Sequence, residues 1–133
     1  MKVFRGFIYW VDFDPTQGAE MSKVRPAVVI SDNYMNEFGK TVVVCPITST
    51  LHPKWKCRIQ IQCDGRNCEV AVDQIRVISK SRIGSKLDEL DPPSLLDQII
   101  NFSYVCTMSI GSLYFQLCRG QYHSSENCKH LIY

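Results

Sequence analysis

The sequence predicts a small antiparallel β barrel accompanied by one C-terminal helix. Three observations carry that fold class. Short apolar or alternating runs recur through residues 7–78, punctuated by Gly, Pro, Asn and Asp, which is the pattern of strands joined by turns. A single apolar run at helical spacing follows residue 91. The chain has 133 residues, 45% hydrophobic and 21% charged, so one globular domain with a real core is expected, and neither two domains nor a largely disordered chain.

Strand one is expected over residues 7–13. Pro15 and Gly18 open a loop to Val24 that carries Glu20 and Lys23. Strand two starts at Arg25-Pro26, and its Ala27-Val28-Val29-Ile30 run is continuously apolar, as in a strand buried on both faces. Residues 31–40 read as a polar connection. Strand three covers residues 41–45 and runs into Pro46-Ile47-Thr48-Ser49.

Residues 50–56 read as a loop in which His52-Pro53-Lys54-Trp55 sets an aromatic among cations. Arg58-Ile59-Gln60-Ile61-Gln62 alternates with period two, which predicts a strand with one wet face. After an Asp64-Gly65 turn signal, residues 69–78 form one longer strand or two in series. Asp91 is the expected helix N-cap, with proline at the first helical position. Leu95, Leu96, Ile99, Ile100 and Phe102 then give an apolar face for the barrel or for a second copy of the chain, with Gly111 as the stop. One barrel face does not easily cover both Leu95-Ile99-Phe102 and Leu96-Ile100, so a homodimer is expected.

The net charge of +2 is too weak to mark a nucleic-acid binder by itself, and position matters more than number. The cations fall in three groups, Lys23 with Arg25, Lys54 with Lys56 and Arg58, and Lys80 with Arg82 and Lys86; the plain alternative for each is a solvated surface. Asp12 and Asp14 interrupt the N-terminal apolar stretch before it reaches signal-peptide length, and no later run approaches the roughly 18 apolar residues of a membrane span. A cytoplasmic protein without membrane attachment is expected.

Seven cysteines cannot all pair within one chain. Cys45 is expected to pack as a small hydrophobe, while Cys63 and Cys68 flank the turn and, in a reducing cytosol, default to free thiols. In the tail, Cys118, His123, Cys128 and His130 have the spacing C-x4-H-x4-C-x-H, which lacks the paired ligands of zinc modules. An appended, partly disordered extension is favoured there over a metal site.

Arg25 stands out at the mouth of a core strand. Its guanidinium is either an ordinary strand-edge charge or a rigidly held donor fork for an oxyanion. The surrounding motifs bear on that choice. Tyr9-Trp10-Val11-Asp12-Phe13-Asp14-Pro15, Gly18-Ala19-Glu20 and Arg25-Pro26-Ala27-Val28-Val29-Ile30 resemble the signature of the MazF/PemK/Kid family of toxin endoribonucleases. That signature runs from an aromatic first strand ending in D-x-x-P, through G-S-E, to R-P-A-V-V-I. Gln74-Ile75-Arg76, before Lys80 and Arg82, is also similar to the family pattern. The resemblance covers about residues 4–110, making 1–111 the toxin-like domain and 112–133 an extension.

The resemblance implies an SH3-like barrel that cleaves single-stranded RNA, the toxin of a toxin–antitoxin pair. It further implies a homodimer, and a cognate acidic, MazE-like antitoxin that lays a disordered segment over the cationic groove. The substrate's 2′-hydroxyl would be the nucleophile, so the protein must move protons and stabilise a phosphorane, and no cofactor or metal is implied. Arg25 would clamp the phosphate; a pKa above about 12 makes it a poor acid. Thr48 would orient by hydrogen bonding, and Glu20 would act as general base or as a positioner of Arg25, the plain alternative being a salt bridge to Lys23 or Arg25. Lys23, Ser49, Lys54, Trp55, Lys56 and Gln74 would contact RNA, with barrel packing as the alternative for Trp55 and holding the active-site loop as the alternative for Gln74. The sequence departs from the family at Phe7, where an acidic residue is usual, and at Met21-Ser22. The fold also serves CcdB-type gyrase inhibitors, so a binder or an inert small-barrel module is the alternative function.

Overall fold

A computed structural model of the chain describes residues 2–14, 18, 20 and 23–107, with side chains through residue 103. The expectations for Pro15, Ala19, Met21, Ser22, Gly111 and the tail residues Cys118, His123, Cys128 and His130 lie outside the described residues.

The order of elements is β1 (Phe7–Asp12), β2 (Val24–Val29), α1 (Asn33–Phe38), β3 (Thr41–Thr48), β4 (Arg58–Cys63), β5 (Arg66–Ala71), β6 (Arg76–Ser79), β7 (Ile83–Glu89) and α2 (Ser94–Thr107). One antiparallel sheet runs β4-β5-β3-β2-β1-β7, with β6 also paired to β3. It curls into a half-barrel. β3 has two neighbours on the same side: Thr41 to Val44 pair with β6, while Ile47 and Thr48 pair with β5. At the far edges, the Asp64 N–H donates to Asp88 of β7 at 2.8 Å and ties the β4–β5 turn to the other end of the sheet.

The central strands separate two apolar clusters, which is why their sequences do not alternate. Val28, Ile8, Cys45 and Ile47 enter one cluster, and Ala27, Val29, Tyr9, Val11 and Val44 enter the other. The Asp64-Gly65 hairpin forms as expected, both residues taking positive φ (53° and 74°), the conformation that two-residue hairpin turns require. Cys63 faces Arg66 across it and Cys68 faces Ile61, so the two thiols are diagonal neighbours and both are free.

Three expectations are corrected. Residues 31–40 contain the helix α1, whose cap Asp32 accepts the Met35 N–H at 2.9 Å. Buried Asn36 bonds Ser31 there, and its side-chain amide donates to the Ser31 carbonyl at 2.9 Å. The 69–78 run, by contrast, takes the second of its two expected forms, two strands in series, β5 and β6, split by a short 3₁₀ turn, Val72–Gln74. β7 was not expected, because only its Ile83 is buried and pairing with β1 fixes it. Helix α2 starts at Ser94, beyond Asp91; its first bonds run from Leu95 and Leu96 N–H to the Pro92 and Pro93 carbonyls, each 3.0 Å.

Ile99 is fully buried, and Leu95, Leu96 and Phe102 pack with it on the barrel's own core. Leu95, Leu96, Ile99 and Phe102 are thus covered by the barrel itself, and the expectation of a homodimer rests on the family resemblance. Among the described residues no helix is long and apolar enough to cross a membrane.

Candidate active-site cleft

β2 and β3 carry Arg25 and Thr48 to one open cleft of about 400 Å³, whose lining includes Trp10, Ser49, Asp64 and Arg66. Arg25 is half-buried on β2 opposite Val11, so the strand fixes its stem while the head meets the cleft. Thr48 ends β3, and its hydroxyl oxygen accepts the Thr50 N–H at 3.1 Å. That bond leaves the hydroxyl proton for an outside acceptor. Exposed Ser49 follows it at the rim.

The other predicted site residues lie away from this lining. Glu20 is exposed and its carboxylate is 3.7 Å from Arg76 Nη1. The Arg76 guanidinium lies 5.3 Å from the Phe13 ring. Lys23 is exposed at φ 66°, and its N–H donates to Asp14 at 2.8 Å. Gln74 is half-buried in the 3₁₀ turn. Lys54 is exposed and Lys56 half-buried. Trp55 stacks on His52 at 4.0 Å with the Arg58 guanidinium 4.6 Å from its ring, the packing role left open by its sequence. Phe7 lies under the Lys86 ammonium at 4.0 Å.

Sequence reasoning missed three cleft residues, Trp10, Asp64 and Arg66. Trp10 is 38% exposed and offers a stacking face, and Arg66 adds a second cation to the cleft that Arg25 lines. The hairpin turn brings Asp64 and Arg66 there, and only the tertiary fold could reveal that. Burial, then Cys68, Asp88 and Asp64, pushes the Cys63 thiol up to about 11. Burial also raises Cys68, against the pull of Arg66. Neither cleft thiol is therefore a nucleophile at neutral pH. The Asp88 carboxyl is held low by the N–H groups of Asp64 and Glu89.

A second feature is a buried ionic cluster beside Thr48. Arg58, expected on a wet strand face, is instead buried and donates at 2.8 Å to both Glu69 (Nη1) and Asp73 (Nε). Glu69 also accepts the His52 N–H (2.8 Å), the Gln60 amide (2.7 Å) and, at 2.9 Å, the His52 ring Nδ1. The opposed charges are what allow Arg58 to turn inward. Burial by itself would raise the Glu69 carboxyl, but the donors from His52, Gln60 and Arg58 outweigh it and hold the group below its usual range.

A carboxyl depressed by folding stabilises the fold above its unfolded pKa, about 4.3, and that contribution is lost as pH falls through the folded value. Thermal melts from pH 7 to 3 should show an acid loss of Tm in the native protein that is smaller in Glu69→Gln. Equal slopes would show that Glu69 is not held low.

The sequence profile of the PemK-like, MazF-like toxin of type II toxin-antitoxin systems matches residues 4–100. Endoribonuclease EndoA of Bacillus subtilis (strain 168) is 32% identical over 105 residues, covering 74% of this chain and 89% of that protein. In fold, the chain is similar to MazF from Deinococcus radiodurans, with a TM-score of 0.70 and 24% identity over 78% of this chain and 94% of the other. It is also similar to a chain of the MazE–MazF structure from the same organism (TM-score 0.65, 24% identity, 78% and 94% covered).

Proposed function

The chain belongs to the family of PemK-like, MazF-like toxins of type II toxin–antitoxin systems, and from that premise we propose that it is an endoribonuclease that cleaves single-stranded RNA at the Arg25–Thr48 cleft. The observation that carries the reading is the convergence of Arg25, Thr48 and Ser49 on one open cleft with a second cation, Arg66, and an exposed aromatic, Trp10. Such a surface suits unpaired RNA, with cations for the backbone and a ring for a base.

The 2′-oxygen attacks the adjacent phosphorus and the bond to the 5′-oxygen breaks, leaving a 2′,3′-cyclic phosphate and a 5′-hydroxyl. The 2′ proton goes to a base and the leaving oxygen takes one up. The guanidinium of Arg25 neutralises charge on the phosphorane, and the Thr48 hydroxyl donates to a non-bridging oxygen. Glu20 serves from the preceding loop as general base or as a positioner of Arg25. Lys23, Lys54, Lys56 and Gln74 extend the RNA-contacting surface. The nucleophile comes from the substrate, so no metal-activated water is needed. Cleavage is sequence-specific, with bases read at the rim of the cleft.

The protein acts in the cytoplasm as a homodimer, and an acidic antitoxin occupies the cationic cleft; a fold relative is solved as MazE–MazF. The toxin domain ends by residue 111. Incubation with single-stranded RNA in excess EDTA should yield the cyclic-phosphate and 5′-hydroxyl ends at full rate. Thr48→Ala should lose about tenfold or more in kcat, in keeping with the ~1.5–3 kcal/mol of a hydrogen bond to a charged group. Metal-dependent cleavage, or none with any RNA, would overturn the reading in favour of a binding module.

A further inference from the structure

We propose that Glu69 is a positioning residue for RNA cleavage, holding the 49–56 loop against the cleft through His52. This rests on the ribonuclease reading and names a part of its machinery outside the cleft lining.

Glu69 lies opposite Thr48 in the β3–β5 ladder and opposite Gln60 in the β4–β5 ladder. Directly paired residues share a sheet face with Cβ atoms about 5 Å apart, so a fully buried carboxylate sits next to the catalytic threonine. Both oxygens are engaged. Oε1 accepts from His52 Nδ1 and Arg58 Nη1, and Oε2 from the His52 N–H and the Gln60 amide. Sharing Oε1 explains why Arg58 Nη1 and His52 Nδ1 approach to 3.3 Å.

Two of those four donors belong to His52, four residues beyond Thr48. The rest of the loop builds on that tie. Trp55 donates its N–H to the His52 carbonyl at 3.0 Å and stacks on the His52 ring, with Arg58 against the same indole. Ser49 and Thr50 of this loop form one wall of the cleft. A shift of about 1 Å in a positioning group can cost on the order of a hundredfold in rate. Neutralising Glu69 should therefore loosen the wall without touching Arg25.

The test compares the full chain with Glu69→Gln and His52→Ala. The second variant keeps Arg58 bridged to Glu69 and Asp73 and removes the ring tie and the stack, so it remains informative if Glu69→Gln does not fold. Hydrogen exchange should show the His52 and Trp55 amides exchanging faster while those of β3 stay protected. Cleavage of a fixed RNA should show kcat reduced about tenfold or more, with KM changed less.

Faster loop exchange with native kcat per folded molecule would overturn the proposal, as would unchanged exchange with unchanged kcat. Failure of the ribonuclease reading looks different. The native protein and Arg25→Ala would then be equally inactive, and the exchange data would still decide whether Glu69 holds the loop.

Discussion

Arg25→Ala should reduce RNA cleavage by about a hundredfold or more while leaving the fold intact. Loss of one preorganised donor to a developing oxyanion costs on the order of 3 kcal/mol, and Arg25 is placed to donate in that way. Its backbone belongs to β2, anchored on both faces by fully buried Ala27, Val28 and Val29, so truncation removes the guanidinium without opening the core. Arg25→Lys should fall between, since lysine keeps the charge but lacks the planar fork that meets two phosphate oxygens. Single-turnover cleavage gives the rate, and a thermal melt confirms the fold. A folded, fully active Arg25→Ala would remove the cleft from the reaction.

Arg58→Ala should have the largest effect on stability. Its side chain is 3% exposed, and both carboxylates it bridges have none of their side-chain surface exposed. Removing the cation leaves Glu69 and Asp73 buried with their main neutralising charge gone. Deleting one partner of a buried pair costs about 3–5 kcal/mol, a large share of the roughly 5–15 kcal/mol that holds a domain together. Denaturant melts should show the midpoint falling by that amount at constant slope. A loss under about 1 kcal/mol would mean that the cluster behaves as a surface ion pair.

The two variants differ in how visible their targets are in the sequence. Arg25 is legible because a proline-led apolar run behind it can only be a core strand, and a charge at the head of such a strand is conspicuous. Thr48 is legible through its motif. Arg58 is not, because Arg58-Ile59-Gln60-Ile61-Gln62 alternates as a strand with a wet face would, and period two says which residues share a face but not what covers that face. Gln60 and Gln62 stay exposed here, and Arg58 alone is drawn inward by Glu69 and Asp73, which reach it only through the β4–β5 register and the 3₁₀ turn.

The same limit applies to β7 and α1. The strand β7 has one buried residue and exists by pairing with β1; α1 is six residues long and is held by its Asp32 cap and by Asn36 rather than by an apolar stripe. The sequence by itself determined the strands with continuous apolar or turn-bounded patterns, the Asp64-Gly65 hairpin, the last helix and the family, because those features depend on local preference and on spacing along the chain. Tertiary structure alone decided that Trp10, Asp64 and Arg66 share a cleft with Arg25, that Glu20 meets Arg76, and that Glu69 sits beside Thr48. Each of these depends on sheet register and curl, which bring together residues that no local pattern relates.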